Sequence, residues 1–542
     1  MASLSSFNGI LGIRKAKHLL RRGTFNFSIN LINIIANMTA VEAVSYLSID
    51  TINNLSEPID PISDGNWTSS SELPNSFSGQ GRKRAYTTAW WWYNAQSQNT
   101  LKHKLSFFLF TSFTVAKSNG VGNATFFYDY LRLIDFYATG SIKTFAKKIT
   151  KDNAMLNYLD NTFNNANNPN ENYAREFLEL FTILKGPQIG PGNYTNYTEF
   201  DIQQAARVFS GFKKQNDRSI IDPVTNLPIG YNNINKHDTN NKTFSNAFNN
   251  QVITGQSTSV GMDQELDDFV EMIFSQTETA KAYCRKLYRY FIKSEWNSSI
   301  ETDIIEPLAQ ELIANNFEIL PTVTKLLCSN HFYDEDNSDN TNEIIGSIVK
   351  SPMQLLNEVI SFFEIPIPNP RFSSHDYYHK FFKKFVHDSF LGAAGMEFFN
   401  PNTVAGYAAY YQEPDFDRHW FSSNTLIARY KLIESFISGR NTIFPNALIG
   451  TQINTVSFVE NNINNPGIIN DLITEIANYL YPESIDSNRT DYFAKIILDD
   501  YPEYYWQTTW SEYINNGDDT VVRNKLNALI TAMVNAAEFQ LM

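Results

Sequence analysis

Apolar residues recur along this chain at a spacing of three to four positions, which places them on one face of an α-helix. Runs that alternate strictly between apolar and polar residues, as half-buried strands do, are rare. The pattern predicts helices at 14–22, 30–47, 101–116, 126–137, 141–150, 169–184, 199–211, 265–275, 280–292, 300–314, 321–327, 352–363, 425–437, 466–479 and 519–541.

Two polar stretches, 56–84 and 217–255, interrupt this pattern and are predicted to be long surface loops inserted between helices. The second contains NLPIGYNNINKHDTNNKTF, which is compatible with a short pair of strands. No shift in composition divides the chain. We therefore predict a mainly α fold with few or no short strands, built as a single large multi-helix domain over residues 1–542, with two intimately packed helical units as the alternative.

The stretch NPNENYAREFLELFTI, residues 168–183, concentrates charge within one predicted helix. Asn168 is a suitable N-cap, with Pro169 at the first helical position and Glu171 placed for a capping box. At about 100° per residue, one face carries the apolar stripe Tyr173, Phe177, Leu180, Phe181 and Leu184. Glu171, Arg175 and Glu179 lie opposite as an i, i+4 ladder of a solvated face. Glu176 falls at the border of the stripe, where a carboxylate needs a partner or a function.

A second helix follows this one after the glycine-rich turn KGPQIGPGNYTNY. Thr198 and Asp201 are spaced as a capping box at its start, and Gly211 is placed to end it. The two helices form a predicted αα-hairpin.

Composition and charge exclude several classes of protein. Hydrophobic residues make up 42% of the 542 residues and aromatic residues 14%, which indicates a large core. A net charge of −14 argues against a nucleic-acid partner, because no basic stripe is present to neutralise phosphates. We expect no secretory leader and find no apolar window long enough for a transmembrane segment, so the cytoplasm is the default prediction for its location. Cys284 and Cys328 lack metal-ligand spacing and are predicted to be buried thiols.

Eight motifs occur in an order that resembles the DUF1800 family of bacterial proteins. They are HLLRRGTF (18–25), AWWW (89–92), NPNENYAREFLELFT (168–182), YTEFDIQQAARVFSGF (197–212), HDTNNKTF (237–244), RKLYRYFI (285–292), IVKSP (348–352) and FFNPNTVAGY (398–407). The resemblance implies a predominantly helical protein of uncharacterised function. It also implies a sulfatase-like partner, since family members are often encoded beside one, and export, since many members are exported.

The chain departs from the family where relatives often carry histidine. Phe110, Ser112 and Phe181 stand at positions where the family's phrases resembling FWHNHF and LHTLG would place histidines. Phenylalanine neither ligates a metal nor carries a proton, so most of any metal or acid–base site built on those histidines is lost. We predict no metal and no cofactor.

Two pairs of residues that contain histidine remain as candidates. His237 and Asp238 match the family's HD phrase and are predicted either to fold back onto Arg175 and Glu176 or to form a local hydrogen-bonded pair in a turn. His375 and His379 are spaced i, i+4, which can present two imidazoles to a metal, although no HExxH glutamate accompanies them. A surface helix is the favoured interpretation of the second pair.

Aromatic clusters are the candidates for a binding surface. Tyr407, Tyr410, Tyr411 and Trp420 lie in GYAAYYQEPDFDRHWF, which resembles a platform for carbohydrate or a partner protein. The triple tryptophan Trp90, Trp91 and Trp92 is interpreted in the same way. For both clusters, packing between helices is the commoner explanation.

Two hypotheses follow. In the first, the protein is a noncatalytic scaffold or binding component of a larger assembly, with a sulfatase-like protein as partner. In the second, it is a metal-dependent or carboxylate-based hydrolase that retains part of its family's site. Glu176 would then act as base, Arg175 would bind an anionic substrate group, and Glu171, His237 and Asp238 would share the cleft. We favour the first hypothesis because the framework motifs survive while the histidines do not.

Overall fold

The computed structural model describes residues 2–49, 56–61, 65–68, 79–336, 344–448 and 450–542, and helices dominate these ranges. As predicted, the fold is mainly α. The helices of the first half are α1 Gly12–Gly23, α2 Ile29–Ala36, α3 Ala40–Ser48, α4 Gln80–Ser97, α5 Lys102–Ser112, α6 Ala124–Tyr137, α7 Ile142–Ile149, α8 Asn153–Tyr158, α9 Asn172–Glu176, α10 Glu199–Val208 and α11 Ser259–Phe274. Those of the second half are α12 Thr277–Phe291, α13 Ser298–Ile300, α14 Glu306–Ala314, α15 Ile319–Leu327, α16 Pro352–Phe362, α17 Ser423–Ser438, α18 Thr455–Asn462, α19 Ile469–Leu480, α20 Ser487–Leu498, α21 Tyr504–Asn516 and α22 Thr520–Val534.

Strands and π-helical turns complete the described chain. Four short antiparallel pairs are formed by β1 Ile59–Asp60 with β2 Gly65–Asn66, β3 Gln188–Gly190 with β4 Asn193–Tyr194, β5 Phe212–Lys213 with β6 Tyr231–Asn232, and β7 Lys242–Thr243 with β8 Val252–Ile253. Within the described ranges, π-helical segments occupy Phe177–Phe181, Glu301–Ile305 and Asp376–Leu391. Such segments are rare and are often found at functional sites.

One continuous cluster of buried apolar residues extends from Ala2 to Phe539. Aromatic rings from distant parts of the sequence meet at its centre, where Phe110 of α5 lies 4.6 Å from Phe399, ring centroid to centroid. Phe398 and Phe399 are 4.5 Å apart and are fully buried. Burial of each such side chain contributes about 1.5–3 kcal/mol, so the FFNPNTVAGY motif anchors the core.

Buried charges link α1 to the second half of the chain. The Glu358 carboxylate of α16, fully buried, accepts from Arg21 Nη2 at 2.8 Å and lies 2.9 Å from Lys350 Nζ. Arg21 also donates to the Leu480 carbonyl, and Lys350 donates to the Phe539 carbonyl, both at 2.5 Å. The HLLRR and IVKSP motifs are therefore explained by a shared structural carboxylate.

The predicted helix at 30–47 is wrong in one respect, because it consists of two helices, α2 and α3. Thr39 separates them by forming a capping box with Glu42 at the start of α3. The predicted helix at 519–541 likewise ends at Val534 and is followed by a 3₁₀ turn, Ala537–Gln540.

The predicted helix at 169–184 starts later and changes geometry. The residues before it are held in turns by asparagine side chains, since Asn164 Oδ1 accepts from the Asn170 N–H and Asn170 Oδ1 from the Asn172 N–H. The α-helix therefore begins at Asn172, and Asn168 does not cap it. After Glu176 the backbone widens into the π-helical segment Phe177–Phe181, which ends where Thr182 Oγ1 donates to the Phe177 carbonyl at 2.6 Å.

The polar stretches also contain more structure than the pattern predicts. The loop predicted at 56–84 gives way to α4 at Gln80, and its residues 62–64 and 69–78 lie outside the described residues. The stretch 217–255 contains β6, β7 and β8. It is fixed to α6 by a buried ion pair between Arg218 and Asp129 at 2.7 Å.

Candidate functional site

The outer charges of the NPNENYAREFLELFTI stretch form a network that another segment covers. Arg175 lies 3.2 Å from Glu171 and 3.7 Å from Glu179, and it donates to Glu199 at the start of α10, with Nη1 at 3.0 Å from Oε2. Lys185 pairs with Glu179 at 2.9 Å. The arginine that would bind an anionic substrate group in the hydrolase hypothesis is therefore already engaged by three carboxylates.

Glu176 has no such partner. No hydrogen bond or ion pair reaches its half-buried carboxyl group from any part of the chain that the structure describes. Burial and the nearby charge of Glu179 raise the pKa of Glu176 to about 7, although Arg175 and Lys185 oppose this shift. Its neighbours include Tyr158 of α8, whose pKa is raised by burial and by the Glu176 charge.

His237 and Asp238 belong to a different cluster. The His237 ring lies 2.8 Å from the Ser210 carbonyl through Nδ1 and 3.1 Å from Glu265 of α11 through Nε2. The other oxygen of Glu265 accepts from Lys242 at 2.5 Å, and all three side chains are fully buried. The contact with Arg175 and Glu176, one of the two predicted arrangements, is not formed through hydrogen bonds or ion pairs.

Asp238 is held by Arg207 of α10, with a 2.8 Å ion pair to Nε. Burial acts to raise the pKa of Asp238, but hydrogen bonds from Arg207 and Asn240 outweigh it and lower that pKa below its ordinary value. This ionised carboxylate, paired with Arg207, therefore holds the segment at His237 and Asp238 against α10.

The aromatic candidates divide between the core and the surface. Trp90, Trp91 and Trp92 are all buried in α4, where Trp91 donates to Asp135 at 3.2 Å and Trp92 packs against Phe381 and Phe382. Tyr407 and Trp420 are also buried. Tyr410 is half-buried and Tyr411 is 37% exposed, and both face a cleft.

This cleft, which we call the cationic cleft, encloses about 360 Å³ between α5, the end of the π-helical segment Phe177–Phe181, α12 and residues 404–413. Its polar and aromatic side chains include Phe108, Thr111, Ser112, Arg285, Lys286, Arg289, Tyr290, Trp296, Tyr410, Tyr411 and Glu413. The volume is at the lower end of the range for small-molecule sites. The RKLYRYFI motif supplies its three cations, which the sequence pattern alone presented only as part of an amphipathic helix.

The three cations of the cleft differ in their partners. Arg285 is paired with Glu301 at 2.6 Å and with Glu278 at 3.2 Å. Lys286 donates to the Leu180 carbonyl at 2.5 Å, at the end of the π-helical segment. Burial, with a smaller effect of Arg289, lowers the pKa of Lys286 to about 7.

Arg289 is positioned by aromatic rings instead of by acids. Its guanidinium carbon lies 4.3 Å from the centre of the Phe416 ring and 5.1 Å from that of Trp296. No hydrogen bond from the described residues reaches this side chain, and its Nε is buried without an acceptor. Burial lowers the pKa of Arg289 to about 10, against a smaller opposing effect of Glu413, so the side chain is a cation at neutral pH.

A smaller chamber of about 30 Å³ lies behind the cleft and shares Arg289, Tyr290 and Tyr410 with it. Lys104 and Asp417 also line this chamber. A volume of this size holds a water molecule or two but no organic group. Arg289 therefore stands at the inner end of the space that a ligand could occupy.

The three positions where relatives were expected to carry histidine lie close to this region but do not form a polar site. Phe110 and Phe181 are fully buried, and Phe181 packs against Phe113 with ring centroids 5.1 Å apart. Ser112 lies on the wall of the cationic cleft. Within the described residues, no group of three or more histidine, cysteine or acidic side chains is arranged to hold a metal.

The remaining candidates are the pair His375 and His379 and the two cysteines. His379 lies in the π-helical segment Asp376–Leu391 and His375 directly precedes this segment, with the two ring centroids 5.2 Å apart. Both cysteines are buried, and burial raises the pKa of each thiol, to about 11 for Cys328 and further for Cys284. Neither thiol is activated as a nucleophile.

The fold and the cleft define a class: a large, mainly helical protein with one continuous core and a ligand-sized cleft lined by cations and aromatic rings. Among the described residues, no helix is long and apolar enough to span a membrane. The family described as Protein of unknown function (DUF1800) matches residues 18–541, and the chain belongs to this family. No curated protein and no solved structure matches it.

Proposed function

We propose that this protein is a noncatalytic binding component of a larger assembly and that its ligand enters the cationic cleft. The observation that supports the proposal is Arg289, a half-buried cation held by two aromatic rings and paired with no acid among the described residues. An unpaired charge that is partly removed from water is costly, and an anionic group supplied by a ligand would offset that cost.

The residues that the hydrolase hypothesis requires are engaged separately. Arg175 and Glu171 belong to the network with Glu199, whereas Asp238 is paired with Arg207. A general base and an anion-binding arginine have to converge on one substrate. Here the arginine is occupied by carboxylates, which favours a structural role for both clusters.

The test is a pull-down of the tagged full chain from its native host, analysed for a sulfatase-like protein. We expect a stable complex that Arg289→Met weakens, while Arg418→Met, which changes an arginine that is 67% exposed, leaves it intact. Recovery of the free monomer alone, or equal recovery of the complex from both variants, would contradict the proposal.

Glu176 favours a second candidate function, that of a carboxylate-based hydrolase. Its carboxyl group is half-buried and unpaired among the described residues, and its pKa of about 7 suits a general base at neutral pH. Hydrolysis of ester and phosphoester substrates that Glu176→Gln abolishes and Glu179→Gln preserves would support this candidate. Equal rates for the two variants would remove it.

A further inference from the structure

We propose that the cationic cleft binds an organic carboxylate carried on an aromatic ring, with the carboxylate at Arg289 and the ring against Tyr290 and Tyr410. This inference rests on the proposed binding function and specifies the chemistry of the ligand.

The anion position follows from the three cations. Arg285 is neutralised by Glu301 and Glu278, so it contributes little free charge to the cleft. Arg289 keeps its guanidinium unpaired at the inner end, and its planar set of donors matches a carboxylate. Lys286 lies one helical turn away on α12 and gives part of its donor capacity to the Leu180 carbonyl. Together they provide between one and two positive charges.

The charge at the rim limits the anion to a single charge. Glu413 is exposed and close enough to Arg289 to influence its pKa. A dianion such as sulfate would meet about twice the repulsion from this carboxylate that a monoanion meets. A monoanionic carboxylate is the better match to the cations that remain.

The ring position follows from the aromatic wall. The Tyr290 ring lies 5.5 Å from Phe108 and 5.6 Å from Tyr410, centroid to centroid, so the three rings form a continuous wall. A flat ring can add to this series by offset or edge-to-face packing. The inner chamber is too small to admit it, which leaves the cleft of about 360 Å³ for the body of the ligand.

Binding should be coupled to protonation of Lys286. Lys286 contacts the Leu180 carbonyl and the Tyr283 ring, and it shares the cleft with Arg285 and Arg289 of α12 and with Tyr410, Tyr411 and Glu413 of residues 404–413. The wall from α5 carries Phe108, Thr111 and Ser112, which bring no charge. Since its pKa of about 7 leaves Lys286 partly neutral, a bound carboxylate favours the ammonium form and a proton is taken up. Affinity therefore falls as the pH rises from 6 to 8.

The experiment is isothermal titration calorimetry of the full chain with four probes: cinnamate, cinnamamide, acetate and inorganic sulfate. Cinnamate combines ring and carboxylate, whereas each of the others lacks one of the two. We expect cinnamate to bind at least about tenfold more tightly than every other probe, as is typical of a charge-assisted contact added to ring packing. A peptide ending in a free phenylalanine carboxylate, compared with its amide, tests whether the same chemistry comes from a partner chain.

Substitutions in the cleft test which residues contact the bound carboxylate. Arg289→Met should weaken cinnamate binding at least about tenfold, and Arg418→Met should leave it unchanged. Lys286→Met should abolish the proton uptake, measured as the difference in binding heat between MOPS and Tris buffers, while thermal unfolding shows that each variant is folded. Equal affinities for cinnamate and cinnamamide, equal affinities for cinnamate and sulfate, or an unaffected Arg289→Met variant would overturn the proposal.

Failure of this inference is distinguishable from failure of the proposed function. If Arg289→Met disrupts the complex with the sulfatase-like partner but cinnamate does not bind, the ligand class is wrong and the binding function stands. If cinnamate binds through Arg289 but no complex forms, the ligand class is right and the role in an assembly is wrong.

Discussion

At the scale of single residues, the charged side chains fall into two groups. Those with partners of opposite charge have a clear role, and the role of those without such partners is open. Arg175, Asp238 and Glu265 each have opposite charges within hydrogen-bond distance, and their burial is thereby compensated. Glu176 and Arg289 have none among the described residues. Unpaired charges of this kind reduce stability, and groups with strongly perturbed pKa values cluster at functional sites.

Replacing Glu176 by glutamine should stabilise the protein at alkaline pH. The folded state raises the pKa of this acid from its ordinary 4.5 to about 7, so its contribution to the free energy of unfolding is lost as the pH rises from 4.5 through 7. After allowance for its solvent exposure, we expect a gain of about 1 kcal/mol at pH 8 and none at pH 4. Urea unfolding at the two pH values measures this. Glu179→Gln, which removes a paired carboxylate, should instead lower stability at pH 8.

Removing Lys242 should be far more costly. Lys242→Met leaves the fully buried Glu265 with His237 as its remaining side-chain partner, and an uncompensated buried charge costs about 3–5 kcal/mol. Lys236→Met, at an exposed position of the same segment, should change stability by less than about 0.5 kcal/mol. Both values come from chemical denaturation. Recovery of much of the loss in Lys242→Met/Glu265→Gln would assign the cost to the carboxylate, and equal effects of the two single variants would contradict it.

The residue-scale predictions from the sequence succeeded in part for physical reasons. Periodicity places Glu176 at the border of the apolar stripe, and the structure leaves it half-buried there. The partners of His237 could not be predicted, because Glu265 and Lys242 approach it only through tertiary folding. The cations of the cleft were missed for the same reason, since Arg289 differs from Arg285 only in what surrounds it.

At the scale of elements, side chains that compete with backbone hydrogen bonds set the boundaries. Asparagine side chains delay the start of α9 to Asn172, and Thr182 ends the π-helical segment that follows. Periodicity predicts that a helix exists here but not how its turns are wound, because α and π turns differ in which carbonyl each N–H finds. The π-helical segment then presents the Leu180 carbonyl to Lys286, which connects the motif NPNENYAREFLELFTI to the cationic cleft.

The network around Arg175 should behave as a surface tie between two helices and not as part of an active site. Arg175→Met removes contacts between α9 and α10 that are about one third exposed, so we expect a loss of about 1 kcal/mol at low salt. Salt screens such pairs, and the loss should shrink at 0.5 M NaCl. Denaturation of the wild type and the variant at both salt concentrations provides the comparison. A loss that is independent of salt would contradict this interpretation.

At the scale of the whole molecule, α1, α16 and the last turns of the chain share one set of buried charges. Glu358 joins Arg21 to Lys350, and Arg429 of α17 donates to Gln540 at 2.8 Å and to the Lys350 carbonyl at 2.9 Å. The buried apolar cluster is equally continuous. Helical periodicity was sufficient to predict a mainly α fold, but these long-range ties involve charged residues that sequence pattern assigns to the surface.

The full chain should unfold as a single unit, in keeping with the prediction of one domain. We expect far-ultraviolet circular dichroism and tryptophan fluorescence to report the same transition in urea, since tryptophans lie in both α4 and α21. Glu358→Ala should move both signals together by about 3–5 kcal/mol, because Arg21 and Lys350 lose their shared carboxylate. Two separate transitions, or a shift of one signal alone, would show independent domains.

The buried charges around Glu358 also determine the order in which parts of the interior can form during synthesis. Lys350 and Arg429 obtain their remaining acceptors from Phe539 and Gln540, which leave the ribosome nearly two hundred and more than one hundred residues later, respectively. Until then these cations have no permanent acceptors at those positions, and the surrounding helices can pack only provisionally. A nascent chain therefore completes this part of its interior only when Phe539 and Gln540 have been translated, which makes chaperone protection of the earlier helices valuable.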